Sequence, residues 1–316
     1  MTHELLRGDR WRSLTADHEK LRVYSDDECF TTGLNAAYDV LGDDAARIVQ
    51  QHAVLVIQPD CIAGRQVERC LDLVRRQGFE PVHAIRFRFG PEQTHGIWRY
   101  QSNISTPASQ RIADEVCGKG DSLLVLFRDT TPAPVLPASL RLSDFKGRSD
   151  PAMRTERHLR TVLGAPTCLV VLVHTPDEPV DVLRESAVLL GPRTRELYAA
   201  IVKPAADDLA AHVEALYAES EPHDLDLGAA WDRITSSITD PTLERVRAGE
   251  KLDWSWFTGV LSAAGLDPLG WDALLVGSEH IEHDLAGVPR LVDRVSVESW
   301  TNGDAVLLRT AAGSPG

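Results

Sequence analysis

Apolar residues recur along the middle of the chain in two alternating rhythms. Residues 53–57, Ala-Val-Leu-Val-Ile, form a short unbroken apolar run that stops at Gln58-Pro59-Asp60, which predicts a buried strand. Ile62, Val67, Cys70, Leu71 and Val74 then mark one amphipathic helix, closed by Gly78 as a C-cap. Residues 82–89 alternate with period two, which predicts a strand with one covered face. Residues 91–118 read as helical and polar, residues 122–127 as a third buried strand, and residues 130–137 as a proline-rich loop. After an arginine-rich polar stretch, residues 168–173 predict a fourth strand ending at His174, and residues 179–190 a closing helix.

On either side the pattern is helical. Residues 1–50 read as helices with one break: Ser25-Asp26-Asp27-Glu28 has the form of a capping box, and Gly42-Asp43 stops the helix that follows. Residues 193–217 predict a long helix kinked or split at Pro204, and shorter helices follow at 227–238, 243–248 and 254–264. A terminal hairpin is predicted from strands 294–300 and 305–309 around a Thr301-Asn302-Gly303-Asp304 turn, with a disordered tail from 311. Strand–helix–strand, helix–strand, strand–helix is the order of a ferredoxin-like split βαβ antiparallel sheet in an α+β fold. A doubly wound parallel sheet would need a crossover helix after every strand and a glycine-rich first turn, and neither is present in the sequence. The expected division is an N-terminal helical extension (1–50), the sheet domain (51–191) and a mostly helical C-terminal domain (192–316) with its hairpin.

Composition narrows the functional classes. A formal charge of −14 over 316 residues argues against a nucleic-acid duplex as partner. Five scattered cysteines with no CxxC pair suggest reduced thiols and a cytoplasmic protein. The N-terminus is too charged for a signal peptide, and the longest apolar run is far short of the roughly 20 residues that span a bilayer, so no membrane partner is expected.

The candidate chemistry centres on His174. It stands at the mouth of a buried strand, with Arg160 fourteen residues before it and Glu185 eleven after. A histidine with a carboxylate and a guanidinium at set offsets suits a nucleophile that carries a phosphoryl group. Alone, each of these residues has an ordinary reading: a strand-end histidine bonded to backbone, a surface arginine, a solvated helix glutamate. Asp60 and Asp177 read as helix caps. His280 and His283, three apart, read as surface residues because no third metal ligand is in view, and no protein-held metal is expected. Trp254, Trp256, Phe257 and Trp271 read as a small core or an interface.

Over residues 53–191 the sequence resembles the nucleoside diphosphate kinase family. Residues 53–60 resemble its first strand and Lys-Pro-Asp turn, with Gln58 in the lysine's place. Gln77-Gly78-Phe79 is similar to the end of its first helix, and Tyr100 to the tyrosine of its nucleotide-edge helix. Gly147-Arg148-Ser149-Asp150-Pro151, followed by Arg160, has the spacing of its Gly-x-Thr-x-Pro…Ile-Arg-Gly segment. Val171 to Asp177 sit where it has Asn-x-x-His-Gly-Ser-Asp, and Arg184-Glu185 match the Arg/Glu that follows.

The resemblance implies a nucleoside triphosphate such as ATP, Mg²⁺ arriving with the nucleotide, His174 as nucleophile or acid/base, and Glu185 bonded to its other ring nitrogen. It further implies that Arg160, Ser149, Arg148 and Arg141 hold phosphates, and that Gln58 and Tyr100 touch the nucleotide. Self-association through the same core is a further expectation. The chain departs from the family at Gln58, Val171, Thr175-Pro176 and Ser143, the last standing where the family has an arginine. Arg141 is the nearest substitute for it in sequence. The expected function is a specialised phosphoryl- or nucleotidyl-transfer enzyme acting on an unidentified small-molecule acceptor. The alternatives are an ATP-dependent ligase that activates a carboxylate and a non-catalytic nucleotide-binding or scaffold protein.

Overall fold

β1 (His52–Ile57) is buried at every position, and its residues divide between two cores. Strand side chains alternate across a sheet, so Val54 and Val56 face one side and Ala53, Leu55 and Ile57 the other. β1 pairs antiparallel with β3 (Asp121–Asp129), β3 with β2 (Phe79–Arg88), and β1 with the two-residue β4 (Val173–His174). The sheet order is β2–β3–β1–β4, the α+β arrangement that the alternation predicts. The computed structural model describes residues 11–132, 134–203 and 208–302.

Helices cover both faces. On the Val54 side lie the helices Glu28–Leu41, Pro179–Leu190 and Thr194–Val202, through Phe30, Leu34, Val180, Leu183 and Leu197. On the Leu55 side lie Val67–Arg76, Ala138–Lys146 and Leu209–Glu219, through Cys70, Val74, Leu142 and Val213. A third core joins the helices Leu227–Thr235, Pro241–Arg247, Trp254–Ala263 and Trp271–His280 to Ile112, Val116 and Val170.

Several elements differ from the sequence expectation. The helix expected around residues 62–74 is two, Pro59–Ala63 and Val67–Arg76, separated where Arg65 takes a φ of 54°. Of the apolar run 168–173, only Val173 joins the sheet, with His174. Val170 packs among the C-terminal helices while Leu172 and Val173 pack on the sheet, so one run serves two cores and cannot stay extended. Residues 297–302, expected as strand and turn, are the helix Val297–Asn302. Ser296 Oγ accepts from the Ser299 N–H at 3.1 Å, and the buried Trp300 indole is anchored in the interior, so a local cap and a tertiary contact override the alternating pattern. The kink at Pro204, the second hairpin strand and the tail from 311 lie outside the described residues.

The approach to His174 is held by a strained backbone. Leu172 adopts a φ of 68°, which side-chain-bearing residues rarely take and which costs on the order of 1–3 kcal/mol. Asp60 holds it there: Oδ2 accepts from the Leu172 N–H at 2.8 Å, and Oδ1 from the Cys61 N–H at 3.0 Å. The Leu172 carbonyl accepts from the Gln58 N–H at 3.0 Å, which ties the same residue to the end of β1. Asp60 is thus a bridge between two segments as well as a first-turn residue. Burial pushes its pKa up to about 6, against the pull of its N–H donors and Arg160.

Two stability predictions arise from this packing. A Cβ at Gly33 would lie 1.9 Å from the Leu183 carbonyl oxygen, where the helices Glu28–Leu41 and Pro179–Leu190 cross. Gly33→Ala is therefore expected to destabilise the protein by roughly 3 kcal/mol, seen as a lower urea midpoint at unchanged slope. For Asp60, a folded pKa above the unfolded 3.8 means that its stabilising contribution is present below pH 3.8 and is lost as pH rises through about 6. The shift corresponds to about 3 kcal/mol. The stability difference between wild type and Asp60→Asn should therefore change across pH 4–7 in favour of the variant. A pH-independent difference in urea titrations would show that Asp60 titrates normally.

Candidate functional site

The imidazole of His174 is 8% exposed and stands edge-on to Trp98, with ring centroids 5.5 Å apart. Its Nε2 lies 2.6 Å from Glu185 Oε2. The fixed geometry of the helix Pro179–Leu190 delivers that carboxylate eleven residues downstream. A carboxylate can only accept, so in a neutral imidazole this contact puts the proton on Nε2 and leaves the lone pair on Nδ1. Nδ1 makes no hydrogen bond among the described residues.

Two buried cations are pinned to the backbone on either side of His174. Arg160 donates through Nη2 to the Val173 carbonyl at 2.8 Å and through Nη1 to the Gly147 carbonyl at 3.1 Å. Its Nε–H is buried without a partner, and among the described residues it forms no ion pair. Burial pushes its pKa down to about 9, and Arg154 and Arg294 add to the effect. Lys146 closes the helix Ala138–Lys146 and donates to the Thr175 carbonyl at 2.9 Å, with Asp177 Oδ1 at 3.5 Å. Burial pushes Lys146 down to about 7; Asp177 opposes this, while Arg160 and Arg294 reinforce it.

Asp177 is the counter-charge at this spot. Ser143 Oγ donates to it, and Arg294 Nε stands 3.5 Å away. Burial alone would raise its pKa, but Lys146, Arg294, Lys20 and the Ser143 hydroxyl more than offset this and hold it well below the usual carboxylate range. It is not the helix cap expected from sequence, because Glu178 occupies that position and donates its N–H to Asp181 at 3.1 Å.

The structure thus brings His174, Glu185 and Arg160 together, and it disperses the rest of the expected set. Tyr100 donates to Asp27 Oδ2 at 2.9 Å and lies under the Arg184 guanidinium, so it belongs to a buried cluster with the N-terminal helices. Arg141 pairs with Asp129 and lies over Phe79, at the opposite end of β1 from His174. Arg148 and Ser149 are exposed on a loop that Arg154 ties down through their carbonyls. Gln58 is buried, with Nε2 3.5 Å from Cys117 Sγ and Oε1 unpartnered.

Sequence reasoning missed Lys146 and Arg294 as site residues. Lys146 had a signal, since it falls four residues after Leu142 and eight after Ala138, on the apolar face of its helix. Arg294 had none, because 120 residues separate it from His174. His280 and His283 are occupied structurally, by the Trp231 indole at 3.2 Å and the Ser278 carbonyl at 2.8 Å. Among the described residues no group of three His, Cys, Asp or Glu side chains could hold a metal ion, and no helix is long and apolar enough to cross a membrane. Two open clefts, of about 450 and 350 Å³, lie elsewhere: one beside His52 and His83, the other beside Lys119 and Trp271.

No family model and no curated protein matches the chain. Among solved structures it is similar to the nucleoside diphosphate kinase of Aquifex aeolicus, at 17% identity and a TM-score of 0.37, over 44% of this chain and 93% of that one. It is likewise similar to the nucleoside diphosphate kinase of Encephalitozoon cuniculi, at 14% identity and a TM-score of 0.37, over 46% and 91%. The NDP kinase of Pyrobaculum aerophilum gives 15% identity and a TM-score of 0.35, over 44% and 94%.

Proposed function

We propose that His174 takes a phosphoryl group from a nucleoside triphosphate and passes it to a small-molecule acceptor. The observation that carries this reading is the buried pair of His174 Nε2 and Glu185 at 2.6 Å, set between two cations that bond the carbonyls on either side of the histidine. Glu185 fixes the tautomer with an in-plane lone pair on Nδ1. That lone pair forms the N–P bond to the terminal phosphorus. The bond from phosphorus to the bridging oxygen breaks, and its electrons leave with the nucleoside diphosphate. The imidazole becomes cationic, and the Glu185 carboxylate stabilises it through the Nε2–H. An acceptor oxygen then attacks the phosphorus, its proton is released, and the N–P electrons return to Nδ1.

Arg160 and Lys146 supply positive charge where the non-bridging oxygens gather it. The unpartnered Nε–H of Arg160 fits an anionic phosphate chain. A divalent metal such as Mg²⁺ would arrive with that chain and neutralise part of its charge. The neutral Gln58 adds none, and Pro176 offers no backbone donor after the histidine. Both restrict the reaction compared with a general kinase of this type. The burial of Gln58 against Cys117 favours a second reading, a nucleotide-binding protein without turnover.

Incubation with γ-labelled ATP and Mg²⁺ should give an acid-labile, alkali-stable label that is absent in His174→Ala. Glu185→Gln should slow labelling by roughly 10²-fold. Absence of label with every triphosphate would falsify the phosphohistidine. A rise in melting temperature with nucleotide but without turnover would then favour the binding protein.

A further inference from the structure

We propose that Arg294, together with Lys146 and Arg160, forms a subsite for the oxygens of a polyphosphate chain, so that the segment after the C-terminal helices is a working part of the His174 site. This rests on the reading of His174 as a phosphoryl carrier, but it makes a separate claim about which residues hold the anion and where they come from.

The geometry supplies the argument. Arg294 Nη2 donates to the carbonyl of Ser143 and, at 2.9 Å, to its hydroxyl; its Nε faces Asp177. Lys146 is one turn further along the helix that carries Ser143, and it faces the same Asp177 oxygen. The guanidinium of Arg294 therefore stands next to position 143, where the helix itself carries only a serine. Three basic side chains converge here, Arg160 and Lys146 buried and Arg294 partly so, and among the described residues Asp177 is the one carboxylate that pairs with any of them. Positive charge gathered this way away from water is unfavourable unless an anion joins it.

Spare donors point the same way. Arg160 Nε and Thr175 Oγ1 are both buried without a partner, and Thr175 directly follows His174. Lys146 has three N–H bonds and one close acceptor, the Thr175 carbonyl at 2.9 Å. A phosphate chain offers several acceptor oxygens in a row, which matches a set of donors contributed by three separate segments.

Arg294 is held in place by its own segment. Val292 and Val295 are buried, and Trp300, six residues on, is sealed in the interior. Replacing the Arg294 side chain, which is 21% exposed, leaves these anchors intact.

Calorimetric titration of the full chain with inorganic tripolyphosphate tests the proposal. Arg294→Met should weaken binding by about 10- to 100-fold, Arg294→Lys by less, and Arg75→Met, an exposed arginine paired with Asp72, not at all. Lys146 is depressed to about 7 by burial, with Asp177, Glu185, Arg160 and Arg294 around it. Binding at pH 8 should therefore take up close to one proton, read from titrations in buffers of different ionisation enthalpy, and Lys146→Met should abolish the uptake. Wild-type affinity in Arg294→Met, or no tripolyphosphate binding by the wild type, overturns the subsite. If tripolyphosphate binds and depends on Arg294, but no label forms on His174, the subsite stands and the phosphoryl-carrier reading falls.

Discussion

Four donors from two distant stretches of chain meet on one buried carboxylate, and the arrangement of the site depends on it. Glu178 accepts from Thr15 Oγ1 at 2.7 Å, the Ala16 N–H at 2.8 Å, Lys20 Nζ at 2.8 Å and the Trp300 indole at 2.6 Å. It is fully buried, four residues after His174, and caps the helix that carries Glu185. A carboxylate is removed from water this completely only when its lone pairs are filled. Residues 15–20 and Trp300, near the two limits of the described chain, are thereby drawn to the same point. The N-terminal segment brings Lys20, which also bonds Asp181, and the C-terminal segment brings Trp300 with Arg294 upstream of it. Loss of the N-terminal segment would leave Glu178 Oε2 without any of these donors, and loss of the C-terminal segment would leave Oε1 with the Ala16 N–H alone.

The second constraint is the backbone ahead of His174. A strand running straight from Cys168 would have set its register by alternation alone. Leu172, held at positive φ by Asp60, breaks that alternation one residue before the sheet begins. Only Val173 and His174 then pair with β1, so the register of His174 is fixed by a side-chain bond and two ladder positions. This is how a histidine can sit at the end of a two-residue strand and still be aimed at a carboxylate on a separate helix. It also explains why Asp60 keeps its place despite an unfavourable environment: its bonds to the Leu172 and Cys61 N–H groups offset strain stored in the neighbouring segment.

Much of the fold was legible in the sequence because local signals and tertiary packing agree there. The helix Pro179–Leu190 begins and ends where proline and glycine place its boundaries, and the three long strands cover the two apolar runs and most of the alternating stretch that predict them. The failures occur where a distant contact decides. Trp300 alternates with its neighbours as a strand residue would, yet its indole is claimed by Glu178 and the segment becomes helical. The run before His174 is apolar throughout, yet its residues belong to two cores. In the site, His174, Glu185 and Arg160 were visible because their spacing in the chain matches that of the family the sequence resembles, although the stretch from 163 to 172 is irregular. Arg141 had a suitable charge and position in the chain, but on a helix a residue two places from Ser143 points to another side, and Asp129 claims it.

The distribution of charge follows from these constraints. At the end of β1, the neutral Gln58 is sealed against Cys117 and brings no charge to the site. The positive charge near His174 is carried from other directions: Arg160 after the loop that follows Ser143, Lys146 at a helix end, and Arg294 from the C-terminal segment. Asp177 makes this tolerable, because it lies between Lys146 and Arg294 and is held ionised by both. Remove Asp177 and three cations face one another at low dielectric, where like charges repel strongly. Keep it, and the cluster is left with a partial excess of positive charge and unused donors. On the proposed reading, such a cluster would favour an anion with enough oxygens to reach several segments at once over a monoanion that reaches only one.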